Sequence, residues 1–189
     1  MTNLAPVLEY DESQLIALVR EKALEFGQFV LASGATANFY LDCRKLTMDS
    51  RGINQVAAGI WQRLAANPPA VVGGMAVGAV PLVAAVLAHA DWHGVPLSGF
   101  FVRKEAKAHG TRKQIEGSAQ PGQRAVILED VITSGGSCLA AIDAAREFGL
   151  VVERAIAIID RRPGDHPEFT AVGVQLESLL DVRQLGLDS

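Results

Sequence analysis

The sequence contains little cysteine and no excess of basic charge. Cys43 and Cys138 are its only cysteines, and neither has a CxxC or Cys/His ligand spacing, which argues against a disulfide scaffold and a structural zinc site. The net charge of −4 provides no overall basic surface for nucleic acid or an anionic membrane. The N-terminal residues lack the basic and apolar regions of a secretory signal. We therefore expect a single cytoplasmic domain over residues 1–189 that binds neither nucleic acid nor membrane.

Charge is also missing from one stretch long enough to cross a membrane, since no Lys, Arg, Asp or Glu occurs between Arg63 and Asp91. Prolines and glycines interrupt this stretch, namely Pro68, Pro69, Gly73, Gly74, Gly78 and Pro81. Their clustering is typical of turns and unusual in a membrane helix. The stretch therefore predicts a short strand at residues 71–72, a glycine-rich turn and an alanine-rich helix.

Apolar periodicity predicts two helices in the first part of the chain. One covers residues 11–26 with Gly27 as its C-terminal cap, and the other runs from Ser50 to a point before Pro68. Four later apolar runs are typical of parallel strands buried on both faces: residues 71–72, 97–102, 125–128 and 155–159. Helical stretches separate several of them, which predicts an α/β fold with a parallel sheet. We expect the residues before about position 70 to pack on this sheet as an appendage.

The clearest functional pattern follows the apolar run at residues 125–128. Two carboxylates end the predicted strand, and hydroxyl and glycine residues lead into a helix expected over residues 138–148. At the carboxyl end of a parallel strand, such a turn can hold a phosphate with backbone N–H groups, while the acids accept hydrogen bonds from vicinal sugar hydroxyls. The pattern predicts a ribose 5-phosphate site at Glu129, Asp130, Val131, Ile132, Thr133, Ser134, Gly135, Gly136 and Ser137. The alternative is a turn and helix cap without a ligand.

Positive charge is concentrated in residues 103–117. Five basic residues and two acidic residues give this segment a net charge of +3 in an otherwise acidic chain. The segment has no apolar face and is bounded by Gly110 and Gly117, so it is expected to be a loop that closes over a polyanion or, alternatively, a solvated charged loop.

Two of these segments resemble signatures of known enzymes. Residues 125–137 resemble the motif with which type I phosphoribosyltransferases bind phosphoribosyl pyrophosphate (PRPP). The order Arg-Lys-Glu-Ala-Lys-x-His-Gly from Arg103 resembles the catalytic loop of orotate phosphoribosyltransferases in particular. The chain has neither GxxxxGK(S/T) nor GxGxxG, which argues against a nucleotide triphosphatase or a Rossmann dehydrogenase. The resemblance implies the type I phosphoribosyltransferase fold, a Rossmann-like parallel sheet with a small N-terminal hood over about residues 1–45.

The resemblance also implies how the substrates are held. Residues 29–44 would form the hood over the pyrimidine, and the implied orotate contacts are Tyr40, Leu41, Thr133 and Arg161. Pyrophosphate would lie on the turn made by Met75, Ala76, Val77 and Gly78. Two positions depart from the family, because Ala32 and Val77 stand where some members carry lysine. Arg44 and Lys45 are candidates to supply the missing cations.

Catalysis is assigned by the same resemblance. Arg103 and Lys104 would hold phosphates, Lys107 and His109 would approach the pyrophosphate, and Asp130 would orient the ribose. The implied reaction is transfer of the phosphoribosyl group of PRPP to N1 of orotate, which yields orotidine 5′-monophosphate for pyrimidine synthesis. Mg²⁺ would be held mainly by the pyrophosphate and the ribose hydroxyls, without a dedicated set of protein ligands.

Partners and alternatives complete these expectations. The resemblance implies a homodimer in which the basic loop reaches into the neighbouring site. A type I phosphoribosyltransferase for another base, or a non-catalytic PRPP-binding regulator, remains as an alternative. His89, His93 and His166 show no evident ligand spacing or acidic partner and are interpreted as surface or loop residues, and Arg162 as a surface charge.

Overall fold

The computed structural model of the protein describes residues 8–30, 36–104 and 114–187. Six strands form the main sheet in the order β5-β4-β3-β6-β7-β8. Neighbouring strands are parallel except β4 and β5, which are antiparallel. The strands are β3 (Val71–Gly73), β4 (Ser98–Val102), β5 (Ile115–Gly117), β6 (Arg124–Ile132), β7 (Val151–Asp160) and β8 (Gln175–Asp181). The prediction of a parallel α/β sheet is confirmed.

Helices cover both faces of this sheet. They are α1 (Glu12–Lys22), α2 (Cys43–Thr47), α3 (Ser50–Leu64), α4 (Ala79–Trp92), α5 (Gly136–Glu147) and α6 (Pro167–Ala171), followed after β8 by a 3-10 helix, Val182–Leu185. Apolar residues of α1, α3 and α4 share one core cluster with alternate strand residues such as Leu128, whereas α5 and α6 share the second cluster with residues such as Ile127. Both faces of β6 are therefore buried, as its continuous apolar run predicts.

The N-terminal part differs from the prediction in two respects. The first helix ends at Lys22, and residues 24–26 belong to β1 (Leu24–Val30), which forms a separate antiparallel hairpin with β2 (Thr36–Leu41). Gly27 consequently lies inside a strand and caps no helix. The physical reason is cross-strand pairing with residues 36–41, which supplies the backbone hydrogen bonds that a longer helix would have supplied.

The second difference concerns α3, which belongs to the main core and not to an appendage. Val56, Ile60 and Leu64 are fully buried in the same cluster as the apolar side of α4. Within the described ranges, no helix combines the length and the apolar character that a membrane crossing needs. The uncharged stretch after Arg63 folds instead into β3, a turn and α4, as its prolines and glycines predict.

Candidate active site

The carboxyl ends of β3, β6 and β7 bring the predicted substrate-binding segments to one edge of the sheet. Ile132 and Asp160 are register partners at the ends of β6 and β7, and the Arg161 N–H donates to the Ile132 carbonyl at 2.9 Å. Strand β6 is longer than predicted, because its pairing with β7 continues through the two acids to Ile132. The acids therefore lie within the strand, where the ladder fixes their backbone.

Glu129 and Asp130 lie in different environments although they are neighbours. Glu129 is only 5% exposed, and its Oε2 has no hydrogen-bond partner among the described residues. Burial, reinforced by the hydrogen bond and negative charge of Asp130, raises the pKa of Glu129 to about 8, while the Ser137 hydroxyl opposes the rise. Asp130 Oδ1 accepts from the Val131 N–H at 2.8 Å. A buried acceptor without a donor costs free energy, so this site is prepared for a ligand that brings hydroxyl groups.

The turn between β6 and α5 has the geometry of an anion site. Gly135 adopts φ +79° and is the N-cap residue of α5, so the N-cap position offers no side chain to the N–H groups of the first turn. Of these groups, the Gly136 N–H donates to Ser134 Oγ at 3.4 Å. A Cβ at Gly135 would lie 2.8 Å from Phe169 of α6. Thr133, Ser134 and Ser137 flank these N–H groups in the sequence. The turn therefore combines backbone and hydroxyl donors, as its sequence predicts.

The pyrophosphate turn predicted at residues 75–78 lies against the acids of β6. A Cβ at Gly78 would come within 2.9 Å of Asp130 Oδ2, and a Cβ at Gly74 within 2.1 Å of the Leu128 carbonyl. At position 74, where the close neighbour is backbone, only glycine permits this approach. The peptide bond between Ala76 and Val77 is cis, and Val77 is 76% exposed. The turn and the predicted ribose site are consequently adjacent at this edge of the sheet.

The basic loop is attached to this region through β4. The Val102 N–H donates to the Gly74 carbonyl, and the Ala76 N–H donates to the Val102 carbonyl, both at 2.8 Å. The backbone N–H of the next residue, Arg103, donates to the Gln114 carbonyl at 2.9 Å. The Arg103 guanidinium forms an ion pair with the Glu116 carboxylate at 3.3 Å. Lys104 is exposed at the start of the loop. Lys107 and His109 lie outside the described residues, as does Ala32 of the hood.

Arg161 meets the hood through an aromatic residue that received no individual role in the sequence analysis. Its guanidinium carbon lies 4.7 Å from the centre of the Phe39 ring. Burial lowers the pKa of Arg161, so the cation is partly desolvated, which strengthens its attraction for an anionic ligand. Tyr40 is 38% exposed and lies 5.6 Å from the Phe29 ring, whereas the Leu41 side chain is buried in the core.

The cations proposed to replace the missing lysines are already paired. Arg44 binds Asp42 through two hydrogen bonds of 2.7 and 3.0 Å, and Lys45 pairs with Glu25 of β1. The hydrogen bond to Asp42, the negative charge of Asp42 and, more weakly, the negative charge of Asp130 raise the pKa of Arg44. Arg44 is thus electrostatically linked to Asp130 of β6, while Lys45 pairs with a carboxylate of the β1–β2 hairpin.

His166 has an acidic partner, so the prediction that it lacks one is wrong. His166 Nε2 lies 2.7 Å from Asp160 Oδ2, and the other oxygen of Asp160 accepts from the Arg162 N–H at 2.9 Å. The Arg162 guanidinium lies 3.1 Å from His166 Nδ1 and pairs with Glu168. Asp160 is only 6% exposed. The turn that carries Arg161 is therefore closed by a contact between the buried Asp160 and the half-buried His166, six residues apart in the sequence.

Comparisons with known proteins agree with this arrangement. Residues 48–186 match the model of the phosphoribosyl transferase domain family. The orotate phosphoribosyltransferase of Rhodopirellula baltica is 46% identical over 184 residues, which cover 94% of this chain and 95% of that protein. That of Thermosynechococcus vestitus is 40% identical over 173 residues, with 91% of each chain covered.

Solved structures give the same result. The Mycobacterium tuberculosis orotate phosphoribosyltransferase in complex with Fe(III) dicitrate superposes with a TM-score of 0.82 at 35% identity, covering 93% of this chain and 99% of that one. The same enzyme in complex with PRPP superposes with a TM-score of 0.77 at 31% identity over 93% and 99% of the two chains. The chain therefore belongs to the orotate phosphoribosyltransferases, within the wider phosphoribosyltransferase family.

Proposed function

We propose that the protein transfers the 5-phosphoribosyl group of PRPP to N1 of orotate in pyrimidine synthesis. The bond between C1′ and the pyrophosphate oxygen breaks, the N1–C1′ bond forms with inversion, and the N1 proton is lost. The observation that carries this proposal is the buried, unpartnered Glu129 Oε2 beside the glycine turn of α5. A ribose hydroxyl is the donor that satisfies it.

Each part of the site then has a role. The α5 turn holds the 5-phosphate, Glu129 and Asp130 hold the ribose hydroxyls, and the turn over residues 75–78 holds the pyrophosphate. Arg161 faces the carboxylate and carbonyl oxygens of orotate, because a guanidinium matches such acceptors. Arg103, Lys104, Lys107 and His109 neutralise the departing pyrophosphate.

The acids also fit a magnesium ion that keeps substrate oxygens as its main ligands. No cluster of three or more His, Cys, Asp or Glu side chains suitable for a metal occurs in the described ranges. Such an ion would rest on the pyrophosphate and the ribose hydroxyls, near Asp130, since Mg²⁺ favours oxygen ligands and few protein contacts. When bound, it supplies positive charge that makes pyrophosphate a better leaving group.

Turnover tests the proposal directly. Purified protein is mixed with PRPP, Mg²⁺ and orotate, and the loss of orotate absorbance is followed, with uracil, hypoxanthine and adenine as parallel acceptors. We expect consumption of orotate alone, abolished by a chelator. Consumption of another base would refute the assignment of the hood, and PRPP binding without turnover would identify a regulator.

The loop requires a separate test because it is proposed to act in a homodimer. Lys107→Ala is expected to lower kcat far more than orotate affinity. Mixing Lys107→Ala with a Glu129→Gln/Asp130→Asn variant should restore activity in hybrid dimers if the loop serves the neighbouring site. Absence of recovery in demonstrably mixed dimers would refute the shared site.

A further inference from the structure

Two histidines near the C-terminal end of α4 meet outside the active site. His89 and His93 are four residues apart, which places them on the same face of the helix. Their Nε2 atoms are 3.3 Å apart and their ring centroids 5.0 Å apart. The pyrophosphate turn precedes the other end of the same helix, about 20 Å away at 1.5 Å per residue. The pair therefore plays no part in the reaction described above.

A tryptophan of the neighbouring helix orients the pair. Trp61 of α3 is only 6% exposed and stacks on His93 at 5.3 Å, with 22° between the ring planes. The same indole lies 6.5 Å from His89. Burial lowers the pKa of His89, and the nearby His93 lowers it further, which favours the neutral imidazole. Neutral imidazole is the form that binds metals.

The separation of the two nitrogens corresponds to that of ligands around one metal ion. Two imidazole nitrogens at about 2.0–2.1 Å from a tetrahedral ion lie about 3.3–3.4 Å apart. A pair of histidines at positions i and i+4 of a helix is also a recurrent metal-binding arrangement. We propose that His89 and His93 form a binding site for a divalent transition-metal ion that prefers imidazole, such as Zn²⁺ or Ni²⁺.

The surroundings leave room for the remaining ligands. An open cavity of about 450 Å³ adjoins both histidines and is also lined by Glu9 and Gln62. Water completes the coordination, since no third histidine, cysteine or acid joins the pair in a metal cluster within the described ranges. Because His89 lies in the last turn of α4 and His93 is the C-cap residue of that helix, the ion stabilises its C-terminal end.

Calorimetric titration of the full-length, metal-free protein with Zn²⁺ tests this site. In a non-chelating buffer at pH 7.5 we expect one ion per chain, with binding weakened at least tenfold in His89→Gln and in His93→Gln. The same substitution at His109 and at His166, the other two histidines of the chain, is the matched control and should leave the affinity unchanged.

Two further measurements on the wild-type protein do not depend on a variant. Zn²⁺ should raise the Tm by a few degrees, because it binds the folded state, and the gain should disappear at pH 5, where protons compete for imidazole. Absence of binding at about 100 µM Zn²⁺ would overturn the proposal. Undiminished binding in both His89→Gln and His93→Gln would overturn it as well.

Discussion

Glu129 provides the most direct quantitative prediction, because its environment opposes the charge that an exposed carboxyl would carry. Burial and the neighbouring Asp130 raise the pKa of Glu129 to about 8 from its ordinary value of 4.5. Between these pH values the folded protein retains a proton that the unfolded chain releases. The retained proton stabilises the folded state. Its contribution to the free energy of unfolding is fully present below pH 4.5 and is lost as the pH rises toward 8. Glu129→Gln imitates the protonated form and should escape that loss.

The size of the effect follows from the same pKa. Relative to its protonated form, Glu129 destabilises the folded state by roughly 1 kcal/mol at pH 5 and roughly 3 kcal/mol at pH 7. The stability of Glu129→Gln relative to the wild type should therefore increase by about 2 kcal/mol over that interval. For a chain of this length the increase corresponds to about 4–8 °C in Tm. At pH 8 and above, where a large share of Glu129 is ionised, the variant should bind PRPP more weakly than the wild type, since an amide is a poorer acceptor for ribose hydroxyls than a carboxylate.

The assay is thermal unfolding of the ligand-free protein at pH 5, 6, 7 and 8, with PRPP binding measured by calorimetry. Glu153→Gln is the matched control, because the Glu153 side chain is exposed on β7 and the same substitution there should give no such dependence on pH. A difference between Glu129→Gln and the wild type that stays constant from pH 5 to pH 7 would refute the reasoning. So would an unchanged affinity for PRPP at pH 8.

Three further predictions concern the turns that surround the site. Gly135→Ala and Gly94→Ala both place a Cβ at positive φ, which should lower the free energy of unfolding by about 1 kcal/mol or more in each variant. Only in Gly135→Ala does the added Cβ also lie 2.8 Å from Phe169. Denaturant titration should therefore find it the less stable variant, and equal losses would contradict the contact. His166→Gln should raise the KM for orotate roughly tenfold, about 1.4 kcal/mol, while the KM for PRPP stays within about twofold; equal changes in both would mean that His166 acts on the whole fold. Arg161→Lys should raise the KM for orotate by about 10- to 100-fold, because lysine cannot reproduce the planar fork of donors, and unchanged kinetics would remove Arg161 from the orotate site.

Prediction from sequence worked best where a signal is local. The apolar runs identify β3, β4, β6 and β7, and the three- and four-residue apolar spacing identifies α3. The acids and glycines that follow these runs could be assigned to one site because parallel strands end at the same edge of a sheet. The first helix was overextended, because the pairing of Leu24 with Leu41 depends on residues that are distant in the sequence.

The histidines show where the local signal was present and incompletely interpreted. The four-residue spacing of His89 and His93 on an alanine-rich helix was visible, but the stacking on Trp61 that orients them comes from another helix. The six-residue spacing of Asp160 and His166 has no regular period. Only the closed turn after β7 reveals that these two side chains meet.

The sequence by itself determined the α/β class, the edge of the sheet where the proposed substrate-binding segments meet, and the residues of the proposed phosphate turn, because each depends on neighbours within about a dozen positions. The tertiary structure alone decided that Glu129 is buried with its Oε2 unpartnered among the described residues, that Phe39 faces Arg161, and that Gly78 approaches Asp130. Burial and side-chain contact depend on segments brought together by the sheet. No local pattern of residues specifies them, and they set the pKa values and geometry on which the chemistry depends.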